Sequence, residues 1–176
     1  MRKLRVLLLG VIGLVLGSPE LAIGMTIRYE AVDLPDSVPG EDLWQYHYSV
    51  SGASLLSGQG FDVYFALSDG FLFGDLVAPQ SAPSSDWDVL AIQPDAGLAA
   101  DGLFDVVALV DDPSPGAEFL STFIWRGTGT PGSQPFEVFD EQLVVTESGT
   151  TTPVPEPATI GLVLMAVIGF GIRLRP

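Results

Sequence analysis

Apolar and polar residues alternate through the middle of the chain, most clearly in LWQYHYSV at residues 43–50. Trp44, Tyr46 and Tyr48 are separated by polar residues, including His47. Successive side chains of a β-strand point to opposite faces of the sheet, so this alternation predicts a half-buried strand. Further candidate strands cover residues 26–34, 61–67, 87–93, 103–110, 119–125, 136–139 and 142–148.

Segments rich in glycine, proline, serine and aspartate separate these candidate strands. They cover residues 57–60, 79–83, 111–116 and 127–135. Such residues favour turns and loops because they adopt turn dihedral angles or bond to the local backbone. Seven or eight short strands with turns between them predict an all-β domain at residues 25–147, an antiparallel β-sandwich of immunoglobulin-like or jelly-roll type.

The N-terminal residues have the layout of a secretory signal peptide. Arg2, Lys3 and Arg5 precede an apolar run over residues 6–16. A basic head, an apolar stretch of about 7–15 residues and a site of small residues are typical of a signal peptide. Ala22 and Gly24 supply the small residues. We therefore predict a signal-peptide helix within residues 1–24, with cleavage after Gly24.

A second apolar segment covers residues 158–172 and is followed by Arg173 and Arg175. At about 1.5 Å per residue it is shorter than a hydrocarbon core of about 30 Å, so flanking residues must complete the span or the span is temporary. Basic residues close to a span remain on the cytoplasmic side. The segment is predicted to be a transmembrane helix, with Arg173 and Arg175 as its cytoplasmic anchor.

Pro155, Glu156 and Pro157 precede this apolar segment. Proline resists helix formation, both at its own position and at the residue before it. The tripeptide should therefore stay extended just outside the membrane. The polar residues before it, 148–154, are predicted to form a linker.

The tripeptide, the apolar segment and the terminal arginines together resemble a PEP-CTERM sorting signal over residues 155–176. That family is found in Gram-negative bacteria that make exopolysaccharide, where a transpeptidase-like membrane enzyme, exosortase, processes the signal. The resemblance implies that Pro155, Glu156 and Pro157 are the sorting motif and that an exosortase-type enzyme is a partner. It also implies an inner-membrane intermediate and a final place at the cell surface or in the extracellular matrix. The terminal arginines are more widely spaced than in the tighter cluster common in the family.

The charge of the part between the two ends is strongly negative. Of 22 acidic residues only Glu20 precedes residue 25, and of 7 basic residues only Arg28 and Arg126 lie within 25–157, so this part has a net charge of −19. Nucleic-acid binding depends on Lys and Arg neutralising phosphate groups, so the composition excludes a nucleic-acid partner. It also predicts solubility and repulsion from anionic lipid.

The sequence predicts no catalytic residue, metal site or cofactor. The single histidine, His47, occupies a polar strand position with no recognisable catalytic partner. The absence of cysteine excludes disulfides and thiolate metal sites. Aspartates recur at 86, 88, 95, 101, 105, 111 and 112 without the spacing of a calcium loop, so a solvated acidic surface is favoured. Trp44, Tyr46, Tyr48, Trp87 and Trp125 are assigned to the core rather than to a sugar-stacking surface.

These observations predict a non-enzymatic, exported cell-surface or matrix protein associated with exopolysaccharide or with other surface proteins. The alternative is a carbohydrate-active enzyme or a calcium-dependent carbohydrate-binding module on the same β-sandwich.

Overall fold

A computed structural model describes residues 24–52, 54–67, 72–114 and 118–155. Most of the predicted signal peptide, including Ala22, lies outside the described residues, as do Glu156, Pro157, the predicted helix 158–172, Arg173 and Arg175. Within the described ranges, no helix has the length and apolar character needed to cross a membrane.

The described chain forms ten β-strands. They are β1 (Thr26–Asp33), β2 (Asp42–Ser51), β3 (Gly60–Phe65), β4 (Phe73–Ser81), β5 (Trp87–Ile92), β6 (Gly102–Ala108), β7 (Phe119–Trp125), β8 (Pro135–Phe139), β9 (Val145–Thr150) and β10 (Thr152–Pro153). The first sheet has the order β10-β1-β2-β7-β4 and the second has the order β5-β6-β3-β8-β9. Neighbouring strands are antiparallel except for β1 and β10, which are parallel. This arrangement confirms the predicted all-β class and is consistent with a β-sandwich.

The core lies between the two sheets and is mainly aromatic. Tyr46 and Tyr48 of β2 are fully buried, as the alternation predicted. Rings of the first sheet contact rings of the second. The ring centroids of Tyr48 and Phe104 are 6.0 Å apart, and those of Phe119 and Phe61 are 5.5 Å apart. Aromatic pairs of this kind contribute about 0.5–1.5 kcal/mol beyond their area burial. The aromatic positions of the strands therefore join the sheets.

β4 was not among the predicted strands, and it includes Pro79, which the sequence placed in a loop. The register between β4 and β7 shifts between Phe73 and Leu76, and again between Val77 and Gln80. Bulges of this kind interrupt the two-residue period on which strand prediction depends. β4 is therefore recognised only from its pairing with β7.

The predicted strand 142–148 begins later than expected. Residues 140–144 form a turn in which Asp140 Oδ1 accepts hydrogen bonds from the backbone N–H of Gln142 at 3.0 Å and of Val144 at 2.9 Å. Leu143 has a positive φ of 62°. β9 therefore starts at Val145, after this turn.

The C-terminal residues described differ from the predicted linker at 148–154. Residues 148–150 complete β9, and residues 152–153 form β10 on the edge of β1. Between these strands, Thr151 is 1 % exposed and its hydroxyl accepts a 2.8 Å hydrogen bond from Gln134 N. Edge strands present unpaired backbone groups, and β10 satisfies some of those on β1. The chain thus crosses from one sheet to the other where the sequence suggested a free tether.

Candidate functional site

The chain leaves the domain beside β1, at the start of the predicted sorting motif. The backbone N–H of Val154 donates a 2.9 Å hydrogen bond to Tyr29 O, and Pro155 follows exposed to solvent. Because β10 is parallel to β1, the chain enters and leaves the domain in the same direction. The chain enters the domain at Met25, at one end of β1, and leaves it near Ala31, at the other end. At about 3.3 Å per strand residue, these two positions are about 20 Å apart.

Pro155 borders an open cleft of about 720 Å³. Its walls are formed by residues 29–31 of β1, residues 130–132 of the loop before β8, and residues 153–155. The loop wall is held by Tyr46, whose hydroxyl donates a 2.7 Å hydrogen bond to Gly132 O. Pro155 of the predicted motif thus forms part of the wall of this cleft.

Gly24 of the predicted cleavage site lies at the other end of β1. The next residue, Met25, is 5 % exposed, and its backbone N–H donates a 3.0 Å hydrogen bond to Glu147 Oε2. Gly24 is exposed, but a Cβ at this position would overlap Oε1 of the same carboxylate. The sequence offered no sign of this contact, because 122 residues separate its two partners.

Three acidic residues meet on the outer face of the second sheet. Asp62 of β3 is paired directly with Asp105 of β6 on one side and with Glu137 of β8 on the other. The Tyr64 hydroxyl donates a 2.6 Å hydrogen bond to Glu137 Oε2. Asp62 Oδ1 is shielded from solvent and has no hydrogen-bond partner within the described part of the chain. We call Asp62, Asp105 and Glu137 the acidic row.

Burial, the negative charge of Asp105, a hydrogen bond with Asp105 and the negative charge of Glu137 together raise the pKa of Asp62 to about 7, with burial as the largest cause. Burial also raises the pKa of Asp105; a hydrogen bond with Asp62 partly offsets this rise, and the charge of Asp88 adds to it. The carboxyl group of Asp62 is therefore about half protonated at neutral pH, and its protonated form can donate a hydrogen bond. The acidic row could not be recognised from the sequence, because neighbours across strands depend on register, which the sequence does not display.

His47 connects strands of the first sheet. Its Nδ1 lies 2.8 Å from Glu118 Oε2, and its Nε2 lies 2.9 Å from Gln45 Oε1. The amide nitrogen of Gln45 donates to Thr122 Oγ1 at 2.8 Å, which fixes the amide orientation. Each ring nitrogen of the imidazole thus has a side-chain partner at the sheet surface, one a carboxylate and the other an amide.

Several of the aspartates that were considered as calcium ligands accept hydrogen bonds from backbone groups of loops. Asp95 Oδ1 accepts a 2.7 Å hydrogen bond from Gly97 N, and Asp101 Oδ1 accepts one of 2.8 Å from Leu67 N. Carboxylates commonly stabilise turns in this way. Among the described residues, no group of three or more His, Cys, Asp or Glu side chains is placed to hold a metal ion.

The three tryptophans are used in packing. Trp44, Trp87 and Trp125 are 9 %, 6 % and 7 % exposed. The indole N–H of Trp125 donates a 2.8 Å hydrogen bond to Gly129 O. Their faces are covered by the core rather than offered to a sugar ring, in agreement with the assignment made from sequence.

Comparison of the chain with protein-family models, with curated proteins and with solved structures returns no match. Functional inference therefore depends on the two ends of the domain and on the chemistry of the described side chains.

Proposed function

We propose that the chain is a non-enzymatic, exported protein of the cell surface or extracellular matrix, sorted through a PEP-CTERM signal at residues 155–176 and associated with exopolysaccharide. The supporting observation is the position of Pro155. The last strand ends at Pro153, and Val154 is still hydrogen bonded to β1. An enzyme that cuts at or after residues 155–157 would release the whole domain without removing a strand.

The strand order supports an immunoglobulin-like topology in preference to a jelly roll. β1-β2-β7-β4 corresponds to strands A-B-E-D of the immunoglobulin fold, and β9-β8-β3 corresponds to G-F-C. The β5–β6 hairpin is then an insertion that extends the second sheet beside β3. Many cell-surface domains share this architecture, although an architecture alone does not assign a function.

The charge of the domain also supports a place outside the cell. The net charge of −19 over residues 25–157 keeps the domain away from anionic lipid once it is released. Polysaccharide association would then depend on hydrogen bonding or on cations shared between acidic groups.

One observation favours the alternative, a carbohydrate-active enzyme. Glycoside hydrolysis needs a protonated carboxyl group and a carboxylate on either side of the scissile bond. Asp62, with its raised pKa, is paired with Glu137, which lines an open cleft of about 550 Å³ together with Tyr64 and Asp101. In this second candidate Glu137 would be the base or nucleophile in the wall of the cleft. Asp62 does not line the cleft itself and would be the acid from its position beside Glu137.

The sorting proposal is tested by expressing the full chain in an exopolysaccharide-producing Gram-negative host, with and without its exosortase. Intact-mass measurement of each cell fraction should show that the exported form has lost residues after the Pro-Glu-Pro motif. Deletion of the exosortase, or the combined substitutions Pro155→Ala, Glu156→Ala and Pro157→Ala, should leave the chain in the membrane fraction. The matched control Thr151→Ser lies outside the motif and should be processed normally. Identical processing in all strains would contradict the proposal.

The enzymatic alternative is tested by incubating the purified exported protein with exopolysaccharide and with defined glycans. We expect retention on polysaccharide without turnover. Turnover that is lost in both Asp62→Asn and Glu137→Gln, but kept in Asp75→Asn, would replace the first candidate by the second.

A further inference from the structure

The carboxylate of Glu147 joins the two sheets where β1 begins. Glu147 belongs to β9 of the second sheet, whereas Met25 immediately precedes β1 of the first. The 3.0 Å hydrogen bond from Met25 N to Glu147 Oε2 is partly buried. Oε1 of the same side chain lies against Gly24, where a Cβ would overlap it. Both carboxylate oxygens therefore lie at the peptide unit between Gly24 and Met25.

Met25 is held by the core as well as by this hydrogen bond. Its side chain is 5 % exposed and belongs to the core cluster, and it borders two cavities whose walls include Leu55. Gly24, one residue earlier, is exposed. The boundary between the packed chain and the solvent thus coincides with the cleavage position predicted from sequence.

We propose that in the mature protein this contact is a salt bridge between the carboxylate of Glu147 and the α-ammonium group that removal of the signal peptide creates on Met25. We call this pair the N-terminal latch. The proposal rests on the proposed export of the chain. It adds a structural role for the cleavage itself, which is to fasten β1 to the second sheet.

The chemistry of the step is peptide hydrolysis by an enzyme of the signal-peptidase class. Water adds its hydroxyl to the carbonyl carbon of Gly24, the C–N bond breaks, and the nitrogen of Met25 gains a proton. At neutral pH the amine takes a further proton from solvent, and the new carboxyl group of Gly24 releases one. Because Met25 is buried in the folded domain, cleavage must precede its docking into the core.

The charges of the domain favour the ammonium form. An opposite charge nearby favours the protonated form of an amine. Only Arg28 and Arg126 supply other permanent cations within residues 25–157, against 21 acidic residues. The α-ammonium group therefore lies in a negative potential and faces a carboxylate directly.

The composition of the chain makes the latch directly measurable. Lys3 is the single lysine of the sequence and is removed with the signal peptide. The α-amino group is then the sole primary amine of the mature protein, so N-acetylation by acetic anhydride, which forms an amide, takes place at this group alone. The reaction requires the unprotonated amine, and its rate against pH gives the pKa of that group.

The experiment uses the exported protein purified from cells that express the full chain, as wild type and as Glu147→Gln. The ordinary α-amino pKa is about 7.7–8.0. The latch should raise it by about one unit, so at pH 7.5 the wild type should be acetylated about sevenfold more slowly than Glu147→Gln. Glu41→Gln, in the turn between β1 and β2, removes an exposed charge and should react like the wild type.

Equal rates in wild type and Glu147→Gln would overturn the latch. If circular dichroism shows that Glu147→Gln does not fold, the acetylation rate of the wild type against pH tests the latch alone. An α-amino pKa within 7.7–8.0 then overturns the latch. An exported product that begins at a residue other than Met25 overturns the latch but leaves the proposed function intact. A chain kept in the cytosol with its signal peptide contradicts the proposed function, and the latch with it.

Discussion

At the scale of single residues, Asp62 shows how strand pairing creates a chemical property. β3 is paired on both sides with strands that have an acidic residue at the matching position, Asp105 and Glu137. Like charges placed directly opposite each other destabilise a sheet. A proton on Asp62 relieves this repulsion, which is consistent with its pKa of about 7.

This property predicts how Asp62→Asn changes stability with pH. The folded-state pKa of about 7 is above the ordinary value of about 3.9, so the folded domain binds more protons than the unfolded chain between these values. Stability contributed by Asp62 is therefore present at low pH and is lost as pH rises towards 7. Urea denaturation at pH 8 should show Asp62→Asn more stable than wild type by about 1–2 kcal/mol, after allowance for solvent screening of a half-exposed group.

The difference between Asp62→Asn and wild type should shrink at pH 5, where Asp62 is mostly protonated. Asp75→Asn, at an exposed position of β4, serves as the matched control and should differ little from wild type at either pH. An Asp62→Asn variant that is less stable than wild type at pH 8 would contradict this interpretation of the acidic row.

At the scale of the strand, Gly60 determines how closely β3 approaches its neighbours. A Cβ at this position would overlap the carbonyl oxygen of Val106 on β6 and lie 2.7 Å from Phe139 Cζ on β8. Phe139 is the cross-strand partner of Gly60, and its ring lies over the glycine on the outer face. This explains why Phe139 is only 4 % exposed at an outward position. An aromatic ring across from a strand glycine is a known device for stabilising a sheet.

Gly60→Ala should therefore lower the free energy of unfolding by about 1–3 kcal/mol, the usual cost of overpacking, because the backbone of β6 has to move. Gly132→Ala is the matched control, since a Cβ there has no atom within 4 Å in the described part of the chain and its φ is not positive. Urea denaturation should place that control within about 0.5 kcal/mol of wild type. Equal stability of the two variants would show that β3 and β6 can separate at no cost.

At the scale of the whole molecule, the excess of acidic residues opposes the compact state. Residues 25–157 have a net charge of −19, and folding brings these charges closer together. Among the described side chains, the one close contact between a basic and an acidic group joins His47 Nδ1 and Glu118 Oε2 at 2.8 Å. Stability of the domain therefore depends on the aromatic core and the strand pairing, with electrostatic repulsion as a cost that salt reduces.

The melting temperature should accordingly rise by about 2–5 °C when NaCl is increased from about 0.01 M to about 0.15 M, because the Debye length falls from about 30 Å to about 8 Å. CaCl₂ and MgCl₂ at equal concentrations should raise it by equal amounts, as expected for screening without a specific site. A larger rise with calcium alone would instead support the calcium-dependent binding module. Differential scanning calorimetry distinguishes these outcomes.

Much of the fold could be predicted from the alternation of apolar and polar residues along the chain. The alternation in residues 43–50 and 61–67 predicted the inward faces of β2 and β3, and Tyr46, Tyr48, Phe61 and Phe65 are fully buried there. Such strands are recognisable because one buried face leaves a two-residue period in the sequence. β4 and β10 were missed, since bulges interrupt the first and the second has only two residues. The export and sorting signals remain predictions, because most of their residues lie outside the described part of the chain.

The sequence by itself determined the all-β class, the main strands and the strong negative charge, since each depends on composition or on neighbours along the chain. Tertiary structure alone decided that Asp62 lies between Asp105 and Glu137, that Met25 meets Glu147, and that residues 148–153 belong to the sheets. These contacts depend on which strands pair and in which register. Register is set by packing across the whole domain, so residues far apart in sequence acquire a common chemistry only when the sheets assemble.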